Sequence, residues 1–129
     1  MLKNNPQWVD VKTDGENTGL EYFGRFSVKP FLSHKERSDA VRLAEAYCRG
    51  IRDDMNMRNF LTTQAFLKFH VVESDADWWS EDGTMDTLDE NPVYAIAEKI
   101  RDVQDSFKPK KDQEKQVVEE KETKKTKKG

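Results

Sequence analysis

The sequence predicts a mainly α protein with a small β element: one N-terminal strand, a compact three-helix domain, and a disordered charged C-terminal tail. Three observations predict it. Three stretches carry apolar residues at helical spacing, each behind a recognisable start signal. Only residues 20–28 alternate convincingly in the manner of a strand. The last 22 residues lose all apolar pattern and fill with lysine and glutamate.

Residues 1–19 are polar and rich in Asn, Asp and Gly, and they read as a mobile arm with one apolar spot at Trp8 and Val9. In LEYFGRFSV, Tyr22, Gly24, Phe26 and Val28 share one face, and Gly24 marks a bulge or a close backbone approach. Pro30 ends the strand. A lone strand needs a partner. Two are open: the arm around Trp8 to Lys12, or another protein chain, a second copy included.

Ser33-His34-Lys35-Glu36 has the form of a capping box, and the helix behind it runs to about Arg49. Its stripe is Ala40, Leu43 with Ala44, Tyr47 and Ile51, with Gly50 placed for a left-handed stop. A second helix starts at Asp53 or Asp54 and runs to about Val72. Its apolar residues cover more than one stripe, which marks it as the most buried element. The third starts with Asn91 as N-cap and Pro92 in the first turn, and runs to about Phe107. The single domain therefore covers 20–107, followed by the tail at 108–129.

Hydrophobic residues make up 35% and charged residues 36% of the 129, so the ordered part is shorter than the chain. The net charge of −3 is unevenly spread. Nine lysines against five acids give 108–129 a charge of +4, which leaves −7 for the rest. An acidic body is a poor match for a nucleic-acid backbone, so no specific nucleic-acid partner is expected. Cys48, the single cysteine, allows no disulfide within one chain and lies on the inner face of its helix. No run of 18 apolar residues appears, and no membrane contact is expected.

The acidic loop ESDADWWSEDGTMDTLDE is the other prominent feature. Eight carboxylates lie between Glu73 and Glu90, which raises calcium binding. An EF-hand needs an oxygen ligand at its fifth position and glycine at its sixth. Counted from Asp75 those positions hold Trp79 and Ser80, and registers from Asp77 and Asp82 fail too. His34 and His70 lie on different helices. No nucleophile–base set and no phosphate-binding glycine loop can be read. The expectation is a protein that is not an enzyme, with no cofactor and no metal. Two adjacent tryptophans rarely face the same way. One of Trp78 and Trp79 is expected to anchor the loop and the other to meet a partner, together with Tyr22, Phe23, Phe26, Asp75, Asp77, Glu81 and Asp82.

Tyr22-Phe23-Gly24-Arg25-Phe26-Ser27-Val28-Lys29 resembles the "G-x-F-x-V-K" opening strand of the tail assembly chaperones of long-tailed bacteriophages. FLTTQAFLKFHVVESDADWW is similar to their helix that runs into an "x-V-x-x-x-P-x-W-W" segment, with Ala76 here in place of the proline. MDTLDENPVYAIAEKI is similar to their closing helix. The resemblance spans about residues 20–105. It implies a small, largely helical, non-enzymatic protein of the host cell cytoplasm. Such a protein binds the tape-measure protein, helps recruit tail-tube subunits, and is absent from the finished particle. It also implies a longer form made by ribosomal frameshifting, with which the lysine-rich end is compatible. The alternatives are a permanent virion component of the neck or tail-completion class, and a small helical adaptor.

Overall fold

The structure, a computed structural model, describes residues 4–80 and 88–107. Its elements in chain order are β1 (Gln7–Asp14), β2 (Glu21–Val28), α1 (His34–Tyr47), α2 (Met55–His70), β3 (Val71–Ser74) and α3 (Asn91–Ser106). The strands form one antiparallel sheet in the order β1-β2-β3. The fold is mixed α/β rather than mainly α.

Two segments account for that correction. Gln7–Asp14, expected to belong to an arm, alternates Val9, Val11 and Thr13 with Trp8, Asp10 and Lys12 and pairs with β2 along its whole length. Of the two partners open to the strand at 20–28, the N-terminal stretch is the one found. The second segment is Val71–Ser74. The second helix stops at His70 rather than Val72, and its β-branched pair turns into a short strand against Phe26, Ser27 and Val28. The Lys29 amide fixes the switch by donating to the His70 carbonyl at 2.7 Å.

The helices start where the sequence places them, within a residue or so. Ser33 and Glu36 make both halves of the capping box. Asp54 caps α2 through the Met57 amide at 3.0 Å. Gly50 takes φ +84° just past α1. The start of α3 differs in mechanism. Asn91 is inside the helix and does not cap it; its side chain donates to the Asp14 carbonyl at 3.2 Å. The cap comes from the β1–β2 turn: the Glu16 carboxylate accepts from the Glu90 amide, and from the Asn91 amide at 2.9 Å. A carboxylate there both satisfies free N–H groups and complements the helix dipole.

The helices lie on one face of the sheet. α3 packs chiefly on β1, α2 lies beside α3 and reaches β3, and α1 packs on α2. Val11, Phe26 and Val28 from the sheet meet Val93, Ile96 and Ile100 of α3 and Phe60, Leu61 and Leu67 of α2. Cys48 and Ala76 complete this core. Among the described residues no helix packs on the other face of the sheet, where Trp8, Lys12, Phe23 and Arg25 are exposed.

Candidate functional site

The tryptophan loop does not divide as expected: both rings face inward against the same residue. Trp78 lies 5.4 Å from Phe26 at a tilt of 57°, and Trp79 lies 5.7 Å from it edge-on. Trp78 also meets Tyr22 edge-on at 5.4 Å. The chain turns at Asp77–Trp78, with the Trp79 amide donating to the Ala76 carbonyl at 3.3 Å. Neighbouring side chains alternate only in extended backbone. The turn removes that alternation and lets both rings close over Phe26.

The same loop completes the sheet. β3 is only four residues long and pairs with the Phe26–Val28 end of β2. Beyond it, Asp75 and Trp78 act as a substitute strand. The Arg25 amide donates to Asp75 Oδ1 at 2.9 Å, the Asp75 amide donates to the Arg25 carbonyl at 3.3 Å, and Trp78 Nε1 donates to the Phe23 carbonyl at 3.0 Å. The β2 edge expected to receive a partner is thus occupied. Phe26 has no exposed surface and cannot be a contact residue. Asp77 is exposed, while Glu81 and Asp82 lie outside the described residues.

Tyr22 faces inward as well. Its hydroxyl donates at 2.7 Å to Asp89, a carboxylate that is only 1% exposed. Asp89 also accepts from the Thr18 hydroxyl and from the amides of Asn17 and Thr18. Burial pushes the Asp89 carboxyl up, but the hydrogen bonds from Thr18, Tyr22 and the two amides outweigh it and hold it at about 2. The bond to Asp89, aided by burial, raises the Tyr22 hydroxyl above its ordinary value. These groups lock the turn between β1 and β2 to the base of α3. A Cβ on Gly15 would lie 2.2 Å from Asp89 Oδ2, so only glycine fits beneath the carboxylate.

Of the expected aromatic contact residues, Phe23 is the one that stands well clear of the body, 60% exposed on the open face of the sheet. Trp8, which the sequence marks with Val9 as an apolar spot, is 49% exposed on that same face. Between them Arg25 stacks over Trp8 at 5.2 Å and bonds Asp10 at 3.4 Å. Lys12, directly opposite Phe23, pairs with Glu21 at 3.2 Å. The strand alternation of QWVDVKTD could have revealed Trp8, since it places Val9 and Val11 on one side and Trp8 on the other.

Burial depresses the His70 imidazole, and its Nδ1 lies 2.7 Å from the Lys29 carbonyl. That neighbour only accepts, so Nδ1 carries the proton of a neutral ring. Among the described residues no group of three or more His, Cys, Asp or Glu side chains is arranged to hold a metal ion, and no helix is long and apolar enough to cross a membrane.

No protein-family model matches the chain, and comparison with curated proteins and with solved structures yields no match either.

Proposed function

We propose that this chain is a non-enzymatic assembly chaperone of the kind that serves long-tailed bacteriophages. It binds the tape-measure protein and helps bring tail-tube subunits to it in the host cytoplasm. The observation that carries this reading is the open face of the sheet, where Trp8 and Phe23 stand 49% and 60% exposed around the Arg25–Asp10 pair. Aromatic side chains and arginine dominate the energetics of protein interfaces, and Arg25 is held over Trp8 by its own ion pair. The resemblance of residues 20–105 to the chaperone family supplies the client.

Co-expression with fragments of a candidate tape-measure protein tests the reading. A fragment that is insoluble alone should become soluble and co-purify. A fragment that stays insoluble and fails to co-purify would overturn the proposal. Mass spectrometry of purified particles separates it from a permanent virion role: an assembly factor is missing from the particle, whereas a structural component is present in stoichiometric amounts.

A further inference from the structure

The two edges of the sheet are treated differently. The β3 edge is four residues long and sits beside a register shift at Ser27/Val28. Shortness and bulges are the usual devices that blunt an edge. The β1 edge has neither. It runs for eight residues in unbroken register, with no proline from Gln7 to Asp14.

The hydrogen-bond pattern shows which of its groups are free. Phe23 and Arg25 direct their backbone groups away from β1, to Trp78 and Asp75. In an antiparallel ladder the N–H and C=O of one residue point the same way, and neighbours point oppositely. Tyr22, Gly24, Phe26 and Val28 therefore bond β1, and through the register they bond Thr13, Val11, Val9 and Gln7. Trp8, Asp10 and Lys12 then point their backbone groups outward. The Gly15 amide donating to the Leu20 carbonyl, and the Asp14 carbonyl accepting from Asn91, both fit this parity. Among the described residues, no strand pairs with the outward groups of Trp8, Asp10 and Lys12.

We propose that this free edge of β1 docks an extended segment of a client protein, which joins the sheet as a fourth strand alongside α3. The proposal deepens the chaperone reading and rests on it for the presence of a client. Unpaired N–H and C=O groups repeating every second residue are complementary to extended backbone. A second copy of this chain fits less well. Strands pair about 4.8 Å apart, and α3 rides chiefly on β1. Two copies paired at β1 would bring two α3 helices closer than the roughly 8–10 Å that packed helices keep. A bare strand has no helix to place.

The surroundings define the segment. Asp10 and Lys12, the charged side chains in the middle of the edge, are already matched by Arg25 and Glu21, and Asp14 stands only at its end, so the central part of the segment needs no charge. Tyr94, Ala97, Arg101 and Gln104 face α2, which puts Ala95, Lys99, Asp102 and Ser106 on the flank of α3 that overlooks the edge. Ala95, small and half-buried, leaves room for an apolar side chain on the inner face, and Trp8 offers a ring on the outer one. The segment that fits is extended, uncharged and rich in β-branched or aromatic residues.

Panning a random short-peptide library against the full chain tests this. Enriched peptides should be uncharged and apolar. The best of them, synthesised, should slow amide exchange at Trp8, Asp10 and Lys12. Asp10→Pro removes one outward donor and leaves the β1–β2 ladder intact. It should weaken the peptide roughly tenfold or more while Val9, Val11 and Thr13 stay protected. Failure to enrich any peptide, protection confined to other residues, or unchanged affinity in Asp10→Pro would overturn the proposal. So would slow exchange of Trp8, Asp10 and Lys12 in the free chain, which would mean the edge is already covered. If Asp10→Pro fails to fold, the exchange pattern of the native chain decides. The chaperone reading fails separately, through the tape-measure fragment.

Discussion

The Tyr22 hydroxyl donates to Asp89 at 2.7 Å across 67 residues of sequence. That bond joins the central strand of the sheet to the entry of α3, and it makes Asp89 a carboxylate that the fold needs ionised. Asp89 is held at about 2 against an ordinary 3.8, and Glu36 at about 2 against 4.5 through Lys29 and the Ser33 amide. Both folded values are depressed. The stability they contribute is complete above their unfolded values and is lost as pH falls from about 4.5 through 2. Asp89→Asn should therefore lower stability at neutral pH and flatten the acid limb of urea midpoints measured against pH.

His70 acts in a higher window. Burial lowers its folded value below 6.5, so the unfolded chain takes up the proton first. Stability is complete above about pH 6.5 and declines as pH falls toward the folded value. Replacing His70 with Gln should remove that part of the slope and leave the carboxylate part unchanged, as read by the same titration of urea midpoints.

Trp78→Ala and Trp79→Ala should both reduce stability, because both rings close over Phe26. Each ring is half-buried, so about 2 kcal/mol is expected for each, below the 3–5 typical of full burial. Trp78→Phe should cost less than Trp78→Ala yet still lose the bond to the Phe23 carbonyl. Urea denaturation measures all three. One variant matching the native chain within about 0.5 kcal/mol would restore the division of labour expected from the sequence.

Gly15→Ala and Gly24→Ala test two close approaches. An added Cβ would lie 2.2 Å from Asp89 Oδ2 in the first and 2.5 Å from the Ala76 Cβ in the second. Each should destabilise by about 1–3 kcal/mol through overpacking. Pairing Gly24→Ala with Ala76→Gly should recover most of its loss, which double-mutant thermal melts would show.

Trp8→Ser and Phe23→Ser should leave stability within about 0.5 kcal/mol, since both rings stand in solvent. Under the chaperone proposal their effect should fall on binding, by roughly tenfold each, in titrations with a candidate tape-measure fragment. Trp79→Ala should show the converse pattern.

The helices were legible because their signals are local. The Ser33–Glu36 box, Asp54 and Gly50 each act within a few residues, and each is found in place. The strands were half legible. β1 carries a clear alternation, but short polar strands resemble loops until a partner is known. β3 was read as the tail of α2 because Val71 and Val72 extend an apolar run, and only pairing with Ser27 and Val28 converts them. Exposure was legible at Phe23, Asp75 and Asp77. Trp78 and Trp79 both close over Phe26 because a turn, not a strand, carries them. The Glu16 cap and the Asp89 lock join residues more than 65 apart, and nothing in their neighbourhoods announces the partner.

The lock has a consequence for synthesis. The turn between β1 and β2 gets its anchor from Asp89 and supplies the cap of α3 through Glu16, so the β1–β2 hairpin and α3 complete each other. A ribosome must release the residues through Asp89 before the β1–β2 turn can gain its anchor. A chain halted before Asp89 would hold the hairpin turn without its anchor. The hairpin and α3 settle together, and a copy interrupted between them should be cleared by proteases rather than persist as a smaller domain.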